Sequence, residues 1–377
     1  MNILLVPDSF KYSLSAQEVA LAMEEGIKDV FPEFSVISQP VADGGEGTIL
    51  ALINACGGSV ITEETCDPLF RPIKSNYGVL ADNIGVVEVA EASGVSLLMD
   101  KERNPMLTSS LGTGKQIVSV LEKGVRRLII GLGGSGTNDG GIGVLHALGY
   151  RFYDEDNQEL PPIGKSLLQI RSISSKERSI CLDNVKIQLA VDVTNPLYGE
   201  KGAAYIFAPQ KGATDEMVYE LDQGLRQFHR VASQFLGSDF SEDTEGFGAA
   251  GGIAFGLVAF LGAEIVSGIK LVSKQVNLEE KIKVADLVIS GEGKIDSQSL
   301  EGKVISGIAK LTTKHKKPLV LLGGMVDLSP DKLSQAGITA AFSVSNEPMK
   351  LEKAIRKVVT KKNLRYSIGQ VLRVFNS

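Results

Sequence analysis

The feature that most constrains the fold is an alternation, at both ends of the chain, between short apolar runs and stretches of helical periodicity. Residues 2–7 form an apolar run that predicts a strand buried on both faces. Ser15 stands three residues before Glu18, and this spacing is typical of the capping box that begins a helix. Residues 34–41 repeat the strand pattern. The first part of the chain is therefore predicted to fold as strand, helix, strand and helix.

The same alternation returns in the last third of the chain. Strand-like runs at residues 285–290, 318–322 and 340–344 are separated by helical patterns, and a basic amphipathic helix is predicted from Met349 onward. Strands joined by helices pair in parallel, so the first two and the last three strands are expected to form one parallel sheet with helices on both faces. The predicted class is α/β, with a doubly wound parallel sheet.

The middle of the chain is less regular, and it predicts a second domain. A chain of 377 residues is long enough for about two domains of roughly 100–200 residues each. We predict a discontinuous domain formed by residues 1–62 and 280–377, with an inserted α/β domain at residues 63–279. The strands predicted within the insert lie at residues 73–79, 84–91, 127–132 and 185–193.

Composition and charge exclude several classes of partner. The net charge is −6 and tryptophan is absent, so neither a nucleic acid nor an anionic membrane is expected to bind. The N-terminal apolar run ends at Asp8 and is too short for a secretory signal, which predicts a cytoplasmic protein. Residues 246–263 are uncharged, but they are rich in glycine and shorter than the ~20 residues that span a bilayer. They predict a glycine turn that leads into a buried helix.

Several predicted strands end in a glycine-containing turn that carries a carboxylate. Ligands of α/β sheets bind beyond the carboxyl ends of the strands. Gathered carboxylates repel one another unless a cation lies among them. Mg²⁺ on a polyphosphate meets this need, because the metal binds carboxylates and backbone N–H groups bind phosphate. The turns are Asp8-Ser9, Asp43-Gly44-Gly45-Glu46, Asn138-Asp139-Gly140-Gly141, Asp192 with Asn195, and Glu292-Gly293-Lys294 with Asp296.

A glycine-rich loop in the middle of the chain leaves an alternative function open. Gly131, Gly133 and Gly136 have the G-x-G-x-x-G spacing of dinucleotide-binding folds, and Asp154 lies near the position of their ribose-binding acid. The alternative is an NAD(P)-dependent oxidoreductase of a small hydroxy acid. Asp139 argues against it, because it brings negative charge to the helix start where a pyrophosphate would bind.

Other catalytic patterns are missing from the sequence. Gly164-Lys165-Ser166 has only the end of a P-loop, since Glu159 occupies the position of its first glycine. No Ser/His/Asp or Cys/His pattern points to acyl transfer. An arginine fork suits a substrate carboxylate, and a lysine suits phosphate as a point charge. The cations beside the acidic turns are Lys11, Arg103, Lys211, Lys294 and Lys303.

A set of short motifs extends along nearly the whole chain. They are Pro7-Asp8-Ser9-Phe10-Lys11, Ala42-Asp43-Gly44-Gly45-Glu46-Gly47-Thr48, Glu102-Arg103-Asn104-Pro105, Gly112-Thr113-Gly114, Gly133-Gly134-Ser135, Thr137-Asn138-Asp139-Gly140-Gly141, Asn195-Pro196-Leu197, Pro209-Gln210-Lys211-Gly212, Gly248-Ala249-Ala250-Gly251-Gly252, Gly291-Glu292-Gly293, Asp296-Ser297-Gln298 and Gly302-Lys303. With these motifs in this order, the chain resembles the bacterial glycerate kinases. It differs from the residues usual in that family at Tyr12, Ser290 and Lys294.

The resemblance implies a fold, an activity and cofactors. The implied fold is a discontinuous flavodoxin-like domain with an inserted α/β domain that resembles restriction endonucleases. The implied activity is transfer of the γ-phosphoryl group of ATP to glycerate in the presence of Mg²⁺, with 2-phosphoglycerate favoured as the product. Glycerate is the expected small-molecule partner, and the protein is expected to be a monomer or a homodimer.

The motifs and the chemistry of the turns together give a hypothesis for the site. Asp192, Asp43 or Asp296 would accept the proton of the attacking hydroxyl, and Lys11 would assist catalysis as a cation facing phosphate. Asp139 and Asp192 would hold the metal ion. The candidate nucleotide-binding residues are Gly133, Gly134, Ser135, Gly136, Thr137, Gly251, Gly252, Glu292 and Lys294. The candidate glycerate-binding residues are Asp8, Ser9, Arg103, Asn104, Asn195 and Lys211.

Overall fold

The structure is a computed structural model that describes residues 1–41, 45, 47–177, 184–300 and 304–376. Its strands are β1 (Asn2–Leu5), β2 (Ser35–Ser38), β3 (Gly58–Cys66), β4 (Pro72–Leu80), β5 (Ile84–Glu88), β6 (Arg127–Gly131), β7 (Arg151–Tyr153), β8 (Ser172–Ser174), β9 (Lys186–Ala190), β10 (Glu264–Val266), β11 (Leu287–Ile295), β12 (Leu319–Val326) and β13 (Ala340–Ser343).

The α-helices are α1 (Ala16–Val30), α2 (Thr48–Cys56), α3 (Val89–Ser93), α4 (Leu111–Glu122), α5 (Ile142–Ala147), α6 (Ala203–Phe207), α7 (Asp215–Leu236), α8 (Ile253–Leu261), α9 (Gly268–Gln275), α10 (Leu278–Val284), α11 (Val304–Lys314), α12 (Pro330–Gln335), α13 (Leu351–Ala354) and α14 (Lys357–Phe375). Short 3₁₀ helices lie at Val95–Leu97, Asp100–Glu102, Gly164–Gln169, Pro209–Lys211, Ala249–Gly252 and Ser297–Leu300.

The chain folds into two compact units. The first unit comprises Met1–Asp43 and Ile269–Ser377, and it contains a five-stranded sheet in the order β2-β1-β11-β12-β13. All neighbouring strands of this sheet are parallel. Numbered within the unit, the order is 2-1-3-4-5, which is a doubly wound arrangement. The prediction that the first two and the last three strands form one parallel sheet is confirmed.

Helix α1 shows how the sequence determines local structure in the first unit. The Ser15 side chain accepts a hydrogen bond from the Glu18 backbone N–H, and the Glu18 carboxylate accepts one from the Ser15 N–H, so the predicted capping box is confirmed. Val19, Met23 and Ile27 recur at helical spacing and are fully buried. This apolar stripe packs into the core that also contains β1, β11 and β12 residues.

The second unit comprises Gly44–Gly268 and is built on a six-stranded mixed sheet in the order β10-β9-β6-β5-β4-β3. Strands β5, β6, β9 and β10 are parallel, whereas β3 and β4 pair antiparallel at one side. Strands β7 and β8 form a small separate sheet. The core is rich in aromatic rings, and Phe228 stands at its centre against Phe152, Phe255 and Phe260.

The bounds of the compact units differ from the domain bounds predicted at residues 62/63 and 279/280. Helix α2 and strand β3 pack with β4 in the second unit, and β3 pairs with β4 along its whole length from Gly58 to Cys66. Near the other boundary, the Ile269 side chain lies against Gly307 in the first unit. Tertiary pairing, which the local sequence does not reveal, determines where the chain passes between the units.

The uncharged stretch at residues 246–263 folds as predicted. Gly251 and Gly252 have positive φ angles of 69° and 89°, and they lead into α8, whose first residues are fully buried. Among the helices in the described part of the chain, none combines the length and the apolar composition that crossing a bilayer requires.

Candidate functional site

The parallel strands of the second unit end level with one another. Glu88 of β5 pairs with Gly131 of β6, and Gly131 pairs with Ala190 of β9. Ala190 pairs in turn with Val266 of β10. Residues that directly follow these strands therefore meet at one edge of the sheet, where α/β proteins bind their ligands. They are residues 133–139, which we name the 133–139 loop, Asp192 and Ser267.

Asp192 is held at this edge by one of its two carboxylate oxygens. Its Oδ1 accepts hydrogen bonds of 2.9 Å from the Ser267 hydroxyl and of 2.9 Å from the Gly268 backbone N–H. The residue is half-buried. The two donors restrict the rotation of the carboxylate, so Asp192 is an oriented acid, and its Oδ2 is buried. The prediction placed it at a strand end in a candidate site, and the structure brings it beside the 133–139 loop.

The 133–139 loop is packed tightly against its neighbours at its first residues. A Cβ atom on Gly133 would lie 2.7 Å from the Cα of Gly45, so only glycine allows this approach. The Gly136 N–H donates to the Ser93 carbonyl at 2.8 Å. Between these positions Gly134 is exposed, with φ of 72°. The beginning of the loop therefore reaches the surface while its end enters the interior.

Lys211 contacts this loop from the interior of the unit. The residue is only 2% exposed, and its Nζ lies 3.0 Å from the Ser135 Oγ and 2.6 Å from the Thr137 carbonyl oxygen. Burial lowers the pKa of Lys211 to about 7, and the negative charge of Asp139 opposes that decrease. The prediction that Lys211 binds glycerate does not fit this position, because protein atoms surround the ammonium group.

Asp139 is also an interior residue. Its carboxylate accepts hydrogen bonds from the N–H and hydroxyl of Ser110 at 2.7 and 2.8 Å, and from the N–H groups of Gly141 and Gly143 at 3.0 and 3.3 Å. Burial raises the pKa of Asp139, and these four donors oppose the rise. Both oxygens are thus occupied by protein donors and shielded from solvent. The prediction of a metal ligand at Asp139 does not fit this geometry.

The predicted nucleotide-binding residues Gly251 and Gly252 are buried behind the 133–139 loop. A Cβ atom on Gly251 would lie 2.2 Å from the Thr137 carbonyl oxygen, and the Gly251 carbonyl accepts the Gly140 N–H at 3.0 Å. Both glycines therefore allow two backbone segments to pack closely. Direct contact with a nucleotide does not fit their burial.

Arg103 has a guanidinium N–H without a hydrogen-bond partner among the described residues, whereas the side chains of Asn104 and Asn195 bond to the backbone of nearby residues. The Arg103 Nη2 lies 3.0 Å from Asp100, and its Nε is buried without a hydrogen-bond partner among the described residues. The Asn104 side chain accepts the Met106 N–H at 3.0 Å. The Asn195 side chain donates to the Lys201 carbonyl at 2.8 Å. Of these three residues, Arg103 is the one best suited to bind an anion.

The first unit has a similar set of polar residues at the carboxyl edge of its own sheet. The Asp8 N–H donates to the Gly291 carbonyl at 2.9 Å, which places the residues after β1 beside β11. Lys294 lies 2.9 Å from Asp296, and this contact lowers the pKa of Asp296. Asp8, Ser9 and Glu292 are half-buried here, and Lys11 is exposed. The predicted residues Asp43 and Lys303 lie outside the described residues.

The sequence prediction missed two residues that shape the site of the second unit. The Glu88 carboxylate accepts the N–H groups of Gly47 at 3.1 Å and Ile49 at 2.6 Å, and so fixes the start of α2. An acid at the end of an apolar run was the available signal, but the predicted strand extended past it. Ser267, which orients Asp192, follows a strand of three residues that is too short to recognise from periodicity.

Comparison with known proteins gives consistent matches over the whole chain. The profile of the glycerate kinase family matches residues 3–376. A glycerate kinase of Bacillus subtilis is 44% identical over 94% of this chain and 93% of its own length. A glycerate 2-kinase of Escherichia coli is 43% identical over 94% and 93%. A crystal structure of a Salmonella typhimurium LT2 protein assigned as glycerate kinase 2 covers 100% of this chain and 98% of that chain, with 39% identity and a TM-score of 0.87.

Proposed function

Because the chain belongs to the glycerate kinase family and is a glycerate kinase, we propose that its phosphoryl donor is ATP bound with Mg²⁺ and that its product is 2-phosphoglycerate. One relative carries the name glycerate 2-kinase, which supports the proposed position of phosphorylation. The oxygen of the glycerate C2 hydroxyl would attack the γ-phosphorus, and the bond from that phosphorus to the oxygen bridging to ADP would break. The hydroxyl proton would pass to a protein base.

One observation carries this proposal: an oriented, half-buried carboxylate stands beside a glycine-rich loop at the carboxyl edge of the second unit. Asp192 is proposed to accept the hydroxyl proton, since Ser267 and Gly268 donate to its Oδ1 and orient the carboxylate. The 133–139 loop is proposed to bind phosphate oxygens through its first residues, of which Gly134 is exposed, Gly133 is half-buried and Ser135 is 9% exposed. Arg103 is proposed to bind the glycerate carboxylate with its planar fork.

Mg²⁺ commonly binds proteins through one or two carboxylates and completes its coordination with substrate phosphates and water. Of the two predicted metal ligands, Asp139 fits that mode less well than Asp192, because both oxygens of Asp139 accept hydrogen bonds from protein donors. When bound, Mg²⁺ would neutralise the charge of the phosphates. Among the described residues, no group of three or more histidine, cysteine, aspartate and glutamate side chains could hold a metal ion.

We propose that the first unit is flavodoxin-like, because its strand order 2-1-3-4-5 is that of flavodoxin-like sheets. The predicted phosphate-binding roles of Lys11, Glu292 and Lys294 stay predictions, as do the predicted roles of Asp8 and Ser9. Asp296 is a poor candidate for the base, since its contact with Lys294 lowers its pKa. The restriction-endonuclease-like class of the second unit stays an implication of the resemblance.

The alternative of an NAD(P)-dependent oxidoreductase is not supported, because the matched family is one of kinases. The structure supplies a physical reason as well. In a dinucleotide-binding fold, the start of the helix after the glycine-rich loop receives the pyrophosphate. Here Asp139 accepts the N–H groups of Gly141 and Gly143 at the start of α5, so this position is already occupied by negative charge.

Phosphorus NMR of a reaction with D-glycerate, ATP and Mg²⁺ tests the proposed donor and product. A new phosphomonoester signal split into a doublet by one carbinol proton is expected, because the phosphorus of 2-phosphoglycerate is linked to C2. A triplet from two methylene protons would show that the C3 hydroxyl is the acceptor. Absence of the product and of ADP would disprove the choice of ATP.

The Asp192→Asn variant tests the proposed base. The value of kcat should fall by about 10²–10⁴-fold, the usual contribution of general base catalysis, while the urea unfolding midpoint stays unchanged. Asp156→Asn, in an exposed turn of the same unit, is the matched control and should keep normal kcat. Normal turnover in Asp192→Asn would remove Asp192 from the chemistry. A loss of activity that excess Mg²⁺ restores would identify it as a metal ligand instead.

A further inference from the structure

We infer that Lys211 is a positioning residue, which acts through Ser135 by holding the Ser135 hydroxyl as a hydrogen-bond donor to a phosphate oxygen of the nucleotide. This inference rests on the proposed function, in which the 133–139 loop binds phosphate. It replaces the predicted contact between Lys211 and glycerate with a role in nucleotide binding that Lys211 exerts through Ser135. In this arrangement the Ser135 hydroxyl accepts from Lys211 and donates to the phosphate.

The ammonium group of Lys211 determines the direction of its hydrogen bond to Ser135. A lysine ammonium carries three hydrogens and no lone pair, so it can only donate. In its contact with Ser135 Oγ at 3.0 Å, the serine oxygen must therefore be the acceptor. The contact with the Thr137 carbonyl at 2.6 Å uses a second hydrogen and fixes the ammonium in place. The buried lysine thus holds two points of the loop at once.

Because Ser135 Oγ accepts from Lys211, the hydrogen of the Ser135 hydroxyl must point toward a different acceptor. Within the part of the chain that the structure describes, Lys211 is the hydrogen-bond partner found for this hydroxyl. Ser135 is 9% exposed, and it follows Gly134 at the surface end of the loop. An anionic oxygen bound at that end is the acceptor that suits this donor.

Burial lowers the pKa of the Lys211 ammonium to about 7, and Asp139, the charged group that interacts with it, favours the charged form. A phosphate group beyond Ser135 would also favour the ammonium. Kinetics at pH 6.5, below that pKa, therefore measure the enzyme with Lys211 mainly in the charged form, which can only donate to Ser135.

A double-mutant cycle tests the inference with the intact chain at pH 6.5. The KM for ATP, the KM for glycerate and kcat are measured for wild type, Ser135→Ala, Lys211→Met and the double variant. Each single change should raise the KM for ATP about tenfold or more, because a hydrogen bond to a charged group is lost. The KM for glycerate should stay within about twofold of the wild type. The double variant should be no worse than the more impaired single variant, since both residues act as one unit.

Three results would overturn the inference. The first is a double variant whose KM for ATP rises by the product of the two single effects, because independent contacts multiply. The second is a specific rise in the KM for glycerate in Lys211→Met, which would restore direct substrate binding. The third is Ser135→Thr, which keeps the hydroxyl, behaving like Ser135→Ala. If Lys211→Met fails to fold, Lys211→Leu, which also has no hydrogen-bond donor, takes its place in the cycle with the same expectations. Failure of the proposed function is distinguishable, since the wild type itself would then form no ADP.

Discussion

The 133–139 loop of the second unit and residues 292–296 of the first unit follow the same sequence pattern but differ in their surroundings. The 133–139 loop comes after strand β6, whereas residues 292–295 form the end of β11 and Asp296 follows it, but both segments combine glycine with a carboxylate. Asp139 is fully buried among four protein donors, whereas Asp296 is partly exposed and pairs with Lys294 at the surface. Asp192 lies between these extremes, with one oxygen held and the residue half-buried. Tertiary packing, rather than local sequence, therefore determines whether the carboxylate of such a segment is enclosed by protein donors or lies near the surface.

Asp139→Ala should give the largest difference between the two regions. The change removes the acceptor of four donors, and buried donors left unsatisfied are costly. A loss of about 3–5 kcal/mol in the free energy of unfolding is expected. Urea unfolding followed by circular dichroism measures it, since the chain has no tryptophan. Asp296→Ala is the matched control and should leave the midpoint unchanged. Equal losses in both variants would contradict the distinction between interior and surface acids.

The next largest difference is expected between alanine at Gly251, which packs against the 133–139 loop, and alanine at Gly293, which lies within residues 292–296. In Gly251→Ala the new Cβ would meet the Thr137 carbonyl at 2.2 Å, and φ is 69°, so strain and overpacking together should cost about 2–4 kcal/mol. In Gly293→Ala the nearest atom is the Lys11 backbone nitrogen at 3.5 Å, an ordinary contact. Thermal unfolding should therefore shift strongly in the first variant and little in the second. A strong shift in Gly293→Ala would show that residues 292–296 are packed as tightly as the 133–139 loop.

Much of the fold could be predicted from the sequence, because local patterns mark the buried parallel strands. The capping box at Ser15 and the strands of the five-stranded sheet follow directly from such patterns. Strand β3 was not predicted, because it is an edge strand whose side chains are largely exposed until Thr65 and Cys66. Helix α7 was also omitted, although Val218, Leu221, Leu225 and Phe228 recur at helical spacing. The first omission reflects antiparallel pairing with β4, which local periodicity cannot reveal.

The site could be predicted only as a set of turns at strand ends. The prediction placed the 133–139 loop and Asp192 at the ends of strands, because both follow apolar runs. It could not identify the burial of Lys211 and Gly251, because each is covered by the 133–139 loop, far away in the sequence. The local sequence around a lysine or a glycine does not show whether the residue binds a ligand or packs against another loop. The distinction depends on the tertiary structure.

The buried ammonium of Lys211 predicts a pH dependence of stability. Its pKa is about 7 in the folded protein and near the ordinary lysine value of about 10.4 in the unfolded chain. Between these values the unfolded state binds the extra proton, so the free energy of unfolding should rise with pH. The gain should be about 2 kcal/mol between pH 7 and 8.5. Lys211→Met should lose this dependence, and Lys201→Met, at an exposed position, should keep it. Parallel pH profiles of wild type and Lys211→Met would contradict a lowered pKa.

The surface ion pair of the first unit should give the smallest effect. Lys294 lowers the pKa of Asp296 through an ion pair between an exposed lysine and a partly exposed aspartate, and ion pairs at the surface contribute little to stability in water. Lys294→Met should therefore raise the pKa of Asp296 toward its ordinary value without moving the urea midpoint at neutral pH. Carbon NMR of the side-chain carboxyl during an acid titration measures the change.

The ion pair should also make stability depend on pH. Because the pKa of Asp296 is lowered in the folded state, the ion pair stabilises the folded state only above that pKa, and this stabilisation is lost as the pH falls through it. Asp327→Asn leaves the Lys294–Asp296 contact in place and serves as the control. A large fall of the midpoint in Lys294→Met would mean that residues 292–296 depend on this ion pair as the 133–139 loop depends on Asp139.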